Sequence, residues 1–355
     1  MNIAISLRDY RQVVIITGLS FCLLVVTLYS LTVGAVFIPV TDVAVILLQK
    51  LGLFTSVEVD NMHVVVLNSI RIPRIVMTML IGAALGISGA ALQGLFRNPL
   101  VEPSLIGVSG GSAAAVVVLI VFGSSLALPD SGLLRDSVLS LVAFGGGLLA
   151  TLLVLGMSKQ GGRTNISVLV LIGVAINAMS WAIIGLAIFY ADENQLRAFT
   201  FWTLGDLGGA SWDKLSIAAP VLVLSSVLLL FYARSLNALA LGEAEAYHLG
   251  VDTERTKRIV ILLSALAVGI SVSLAGMISF VGLVVPHVIR VLFFPDNRLV
   301  LPASILCGAL LLIIGDLIAR TMVSPAELPI GVVTALIGAP FFIGLLLKAK
   351  QKNEL

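Results

Sequence analysis

The chain carries few side chains able to do covalent chemistry. Its three histidines, His63, His248 and His287, stand apart: none lies in an HExxH pattern and none has a second ligand at i+4. No P-loop signature occurs, and no GxGxxG is followed by an acidic residue. Cys22 and Cys307 lie far apart in apolar runs without metal or redox spacing, and read as small buried hydrophobes. Asp316 is the clearest ionisable residue inside an apolar run, and Arg320 follows one helical turn later on the same face. No catalytic residue, metal site or bound cofactor is expected from these patterns.

Two polar interruptions say more. RNPLVEPSLIGVSGG, from Arg97 to Gly111, puts two prolines, a carboxylate, an arginine and a cluster of glycines between two apolar runs. Pro99 and Pro103 remove donors and block a continuous helix, so the spacing predicts a sharp turn that re-enters. LGEAEAYHLG, from Leu241 to Gly250, combines helix formers, a mixed charged face and an apolar side of Leu241, Ala244 and Leu249. Gly242 and Gly250 bracket it like a rigid knob. It is either a short amphipathic helix that docks in a partner's groove or an ordinary solvated loop.

The elements that must position these stretches are membrane helices. Hydrophobic residues make up 59% of the 355 and charged residues 11%, and mean hydropathy is +1.13. Such a chain is an all-α polytopic membrane protein. Candidate spans are 13–36, 74–96, 100–123, 137–157, 166–190, 214–233, 259–280, a short 282–293, 300–320 and 329–347. The first is too long for a signal-peptide core and reads as retained. The C-terminal KNEL departs from an ER-retention signal and reads as chance. With the N-terminus inside, two-thirds of the 21 Lys and Arg fall on the cytoplasmic side. Spans nearly empty of acids and histidines do not support proton or sodium coupling. Gly89 to Pro99 and Gly276 to Pro286 share one spacing, a faint echo of an inverted repeat with interrupted helices.

RIPR (71–74), GAALGISGAALQGLFRNPLVEPSLIGVSGG (82–111), FWTLGDL (201–207), LGEAEAYHLG (241–250), GMISFVGLVVPHVIR (276–290) and PAELPIGVVTALIGAPFF (325–342) together resemble a known family. It is the permease family of bacterial importers for iron–siderophore complexes, haem and vitamin B12, the type II ABC importers. The match runs in order over nearly the whole chain. The resemblance implies ten transmembrane helices per subunit, a homodimer or pseudo-dimer, two cytoplasmic ATPase subunits that bind the ATP, and a periplasmic binding protein. It implies that Gly242, Glu243, Glu245, His248, Leu249 and Gly250 form or brace a coupling helix seated in a cleft of the ATPase, within a segment spanning about 237–258. It implies that Arg71, Arg74 and Arg320 receive glutamates of the binding protein, a task suited to the guanidinium fork; interfacial anchoring is the alternative. The turn holding Asn98, Pro99 and Pro103 would lie beside the translocation path, unless it is purely a packing device. Phe199, Phe201 and Trp202 would line the periplasmic mouth or form an aromatic belt.

The expectation is therefore one permease domain over 1–355 in the bacterial inner membrane, with both termini cytoplasmic. It would be a transport subunit, not an enzyme. SPAELPIG and FWTLGDL look most like haem permeases, which ranks haem ahead of ferric siderophore and cobalamin. His287 reads as a hydrogen-bonded structural group rather than a haem ligand. An ion-coupled secondary carrier is the rival class.

Overall fold

A computed structural model describes residues 7–53, 57–123, 132–324 and 326–351. Pro325 and the KNEL tail, Lys352 included, lie outside the described residues, as do the side chains of Arg8, Arg135, Lys348 and Lys350. In chain order the helices are α1 (Leu7–Thr32), α2 (Val40–Gln49), α3 (Asn61–Val65), a π turn (Val66–Arg71), α4 (Ile72–Phe96), a 3-10 turn (Pro103–Ile106), α5 (Val108–Phe122), α6 (Gly132–Met157) and α7 (Ile166–Tyr190). Then come α8 (Glu193–Leu204), α9 (Trp212–Leu230), α10 (Ala233–Leu241), α11 (Glu243–His248), α12 (Thr253–Ala275), α13 (Val281–Leu292), α14 (Asn297–Thr321) and α15 (Ile330–Gln351). Between α6 and α7, β1 (Lys159–Gln160) pairs antiparallel with β2 (Arg163–Thr164). Gly161 and Gly162 make the hairpin turn at positive φ, the backbone a tight two-residue loop requires.

Among the described residues, seven helices are long and apolar enough to cross a membrane. α5, α13 and the Ile330–Gly344 part of α15 supply shorter apolar helices at the other three expected positions, and α2 is a further short one, so ten is an approximate count. Three expectations shift. The stretch between the first two expected spans, 13–36 and 74–96, is not one loop: it holds α2, and a continuous helix already starts at Asn61 and runs to Phe96. The third span starts at Val108, not near 100, because Pro99 and Pro103 interrupt the helix. The seventh ends at Ala275, where Gly276 turns to φ 70 and the chain runs without helix to Phe280. The π turn has its own cause: Pro73 donates no N–H, and the wider turn before it accommodates its ring. Cys22 proves exposed and Cys307 only half-buried, so neither is the fully buried hydrophobe expected.

α4 is the axle of the fold. In the Asn61–Phe96 span, 78% of the most apolar window is buried, against 11% for the span of α1. Lipid tails are as apolar as leucine, so membrane helices associate through close backbone packing rather than the hydrophobic effect. The sequence provides this with small residues one turn apart. A Cβ on Gly82 would lie 2.3 Å from the Gly308 carbonyl oxygen, and one on Gly86 would lie 2.2 Å from that of Ser304. α4 and α14 therefore touch backbone to backbone. Gly111 and Gly146 bring α5 and α6 together in the same way. Gly145 and Gly185, by contrast, face open space.

Overpacking that seam should cost about 3 kcal/mol or more. Gly86→Leu is expected to lower the melting temperature of the detergent-solubilised chain by several degrees, whereas Gly145→Leu should leave it unchanged; equal melting of the two variants would refute the seam.

Candidate functional site

The knob is a preformed, rigidly ended helix. Gly242 opens α11 with φ 138 and ψ 156, a backbone state open to glycine. At the other end Gly250 takes φ 83. Its N–H bonds to the Tyr247 carbonyl (2.9 Å) and the Val251 N–H to that of Ala246 (3.0 Å), a Schellman closure. Ala246 is fully buried and anchors the inner face. Leu241, Ala244, Tyr247, His248, Leu249 and Glu245 point out. The expected apolar side thus faces away from the body, free to meet a partner. Glu243 is the brace: its carboxylate accepts from Lys257 Nζ at 2.7 Å, and the same buried ammonium donates to the Thr164 carbonyl at 2.9 Å. Glu254 in turn accepts from the Thr164 N–H (2.8 Å) and hydroxyl (2.5 Å). Lys257, Thr164 and Glu254, which the sequence does not single out, clamp α11 and α12 to the hairpin.

The turn after α4 packs back against α13. α5 has 15 residues, about 22 Å of helix, short of the ~30 Å hydrocarbon core. Pro103 packs on Gly282 at the start of α13. Gly282 also receives Gly89 of α4, where a Cβ would lie 1.8 Å from the Gly282 carbonyl oxygen. The two stretches that echo each other in sequence are therefore packed on one another. Irregular backbone at this depth needs polar partners, and three side chains serve it. Gln93 donates to the Leu283 carbonyl (3.1 Å) and, at 3.4 Å, to that of Val101. Asn177 donates to the Ser104 carbonyl at 3.0 Å. Glu102 accepts from the Ser104 hydroxyl (3.2 Å) and the Phe280 N–H (3.4 Å). A cavity of about 300 Å³ adjoins them, lined in part by Glu102, Ser109, Asn177 and Ser279. Asn98 and Pro99 are exposed and Pro103 is buried. A carboxylate between two prolines and a lone glutamine in an apolar helix were the available signals for Glu102 and Gln93. The letters of a nucleophile elbow, G-x-S-x-G, occur at Gly107–Gly111, but Ser109 opens a helix after a 3-10 turn rather than a strand, so the elbow is not formed.

At the opposite end three arginines are engaged within the chain. Arg71, Arg74 and Arg320 are 4%, 8% and 6% exposed, and their terminal nitrogens donate inside the chain. Arg320 donates to the carbonyls of Val33 and Ser30, each at 2.8 Å, and to the Ser30 hydroxyl. Arg71 donates to the carbonyls of Leu31 (2.5 Å) and Val36. Together they cap the Ser30 and Leu31 carbonyls in the last turn of α1, at the negative end of the helix dipole, and hold the Val33 and Val36 carbonyls of the segment that follows. Arg74 grips Asp316 through Nε (2.9 Å) and a terminal nitrogen (2.7 Å), and Glu327 at 2.9 Å. Asp316 also lies 3.4 Å from Arg320. In the isolated chain, helix-end carbonyls and carboxylates are the partners of these guanidiniums.

The aromatic group also divides. Phe199 is buried and stacks on half-buried Trp202 (6.5 Å), so it belongs to the packing rather than the mouth. Phe201 is exposed, with the Arg197 guanidinium 5.6 Å above its ring. Gly205, the Met277 segment and the start of α15 converge here: the Ile330 N–H bonds to the Gly205 carbonyl and the Asp206 N–H to that of Ala275. His287, expected to be hydrogen-bonded, has a buried Nδ1 without a partner and sits edge-on to Phe342. Among the described residues no three His, Cys, Asp or Glu side chains come together to hold a metal.

Comparison with known proteins fits this geometry. Residues 22–348 match the model of the FecCD transport family. The Hemin transport system permease protein HmuU of Yersinia pestis is 41% identical over 286 residues, covering 81% of this chain and 84% of its own. The Vitamin B12 import system permease protein BtuC of Vibrio cholerae is 43% identical over 281 residues, covering 79% and 82%. A solved structure described as an inward-facing conformation of a metal-chelate type ABC transporter superposes with a TM-score of 0.80 at 33% identity, covering 94% of this chain and 99% of that one. The chain thus has the fold of a type II ABC importer permease and belongs to the FecCD transport family.

Proposed function

We propose that this chain is the membrane conduit of an ATP-driven importer whose cargo is haem, delivered by a periplasmic binding protein. It acts as a homodimer gripped by two cytoplasmic ATPase subunits, which hold the ATP; the permease itself binds no cofactor and both its termini are cytoplasmic. The observation that carries this reading is the α11 knob. Glycines fix both its ends, Lys257 braces it through Glu243, and Leu241, Tyr247 and Leu249 are left exposed on it. An exposed apolar cap on a stiff, short helix can enter a cleft and transmit displacement to α12. The braced joint then carries motion to the Gly276–Phe280 break and to the turn at Glu102.

Haem is favoured by the SPAELPIG and FWTLGDL segments, which lie together through the Ile330–Gly205 hydrogen bond, and by the likeness to a hemin permease. Equal likeness to vitamin B12 permeases keeps cobalamin, and ferric siderophores, as the alternative cargo. The arginine cluster has an indirect part in docking. It registers the outer ends of α1, α4 and α14, and Glu327, 43% exposed at its side chain, is the cluster's outermost group.

Three outcomes are expected. Proteoliposomes holding this chain, its ATPase and its binding protein should take up hemin only with ATP; gradient-driven uptake by the chain alone would overturn the reading, and uptake of cobalamin but not hemin would overturn the cargo. Tyr247→Ala with Leu249→Asp should weaken ATPase association by about 2 kcal/mol, roughly 30-fold, without changing the melting temperature of the chain. Arg74→Met should destabilise the chain by about 3–5 kcal/mol because Asp316 is left buried without its main partner, and adding Asp316→Leu should recover part of that loss; a double variant no more stable than the single would count against the pair.

A further inference from the structure

A polar cavity of about 410 Å³ opens beside the knob. Arg97 reaches it from the end of α4, Gln160 and Arg163 from the hairpin, Asn165 from the cap of α7, and Glu243 and Lys257 from the coupling clamp. Three cations from three separate elements thus share one space with a single carboxylate. That carboxylate is already engaged, since Glu243 holds Lys257. Among the described residues neither Arg97 nor Arg163 has an ion-pair partner. The buried Lys257 ammonium has three donors, of which Thr164 and Glu243 take two.

Converging like charges repel, and the arrangement is favourable when an anion sits among them. Arg97 adds a second argument. It occupies the left-handed position that ends α4, with φ 52, where glycine or asparagine is tolerated at little cost and a longer side chain is strained. The strain has a use if the guanidinium is needed at that corner. Guanidiniums grip phosphate oxygens in pairs, and a lysine ammonium serves phosphate as a point charge.

We propose that this cavity binds a phosphate-type anion, held by Arg97 and Arg163 with Lys257 at its base. The occupant competes with Glu243 for Lys257 and so sets how firmly the knob is braced. Two sources share the chemistry: the headgroup of an anionic phospholipid in the adjoining leaflet, or free phosphate. The proposal concerns binding alone and does not depend on the identity of the cargo.

The test uses the full-length chain, delipidated in detergent and titrated with phosphatidylglycerol, phosphatidylcholine or inorganic phosphate, with retention read by native mass spectrometry and calorimetry. The wild type should hold phosphatidylglycerol about tenfold more tightly than phosphatidylcholine, and R97Q/R163Q should erase that preference at an unchanged melting temperature. R163Q alone, in an exposed hairpin, should reduce it about threefold and serves if the double variant misfolds. Displacement of the lipid by phosphate, or binding of phosphate alone, supports the site and assigns its source. A preference that survives in both variants, or no binding of either anion, overturns the proposal. So does loss of both anions from the wild type on assembly with the ATPase, which would give the cavity to an acidic side chain of that partner.

Discussion

Direct backbone contact along α4 is the constraint on which the rest of this structure depends. In a bilayer no hydrophobic force draws helices together, and contact area and interhelical polar bonds must do so. Gly82 and Gly86 let α14 approach until carbonyls meet α-carbons, and Gly89 does the same for α13. Every other placement follows. α13 is held at the depth where Pro103 and Glu102 can reach its first residues, and α14 is set so that Asp316 faces Arg74.

The second condition is satisfaction of backbone that is not helical. Two helices break within the fold, at 97–107 and 276–280, and each break would strand donors and acceptors away from water. The fold answers with few, well-placed polar side chains: Gln93 for Leu283, Glu102 for Phe280, Asn177 for Ser104. Phe280 itself stays in a left-handed conformation, φ 68, unusual for an aromatic residue. These breaks lie between the clamped knob and the converging segments near Gly205.

Much of this was legible in the sequence because apolar length and glycine spacing report directly on membrane crossings. The knob was legible for a similar reason: Gly242 and Gly250 mark its ends by chemistry that acts within a few residues. What was not legible depends on contacts between distant residues. Counting Lys and Arg treats Arg71 and Arg320 as surface charges, yet their partners are carbonyls at and just past the end of α1, 35 to 290 residues away. Phe199 reads as aromatic at a membrane edge, but its ring is enclosed by α5 and α7 neighbours that no local pattern names. Glu102 reads as a loop acid because only the packing of Pro103 on Gly282 draws its turn inward.

The capping of α1 also has a bearing on how the protein is made. The chain emerges from its N-terminus, and the carbonyl of Ser30 must wait for Arg320, 290 residues later, before it meets its donor. Until then the first helix rests among lipids with its far end only partly satisfied by Arg71. Biosynthesis therefore closes like a clasp: α1 is made long before α14, and α14 supplies the fastener.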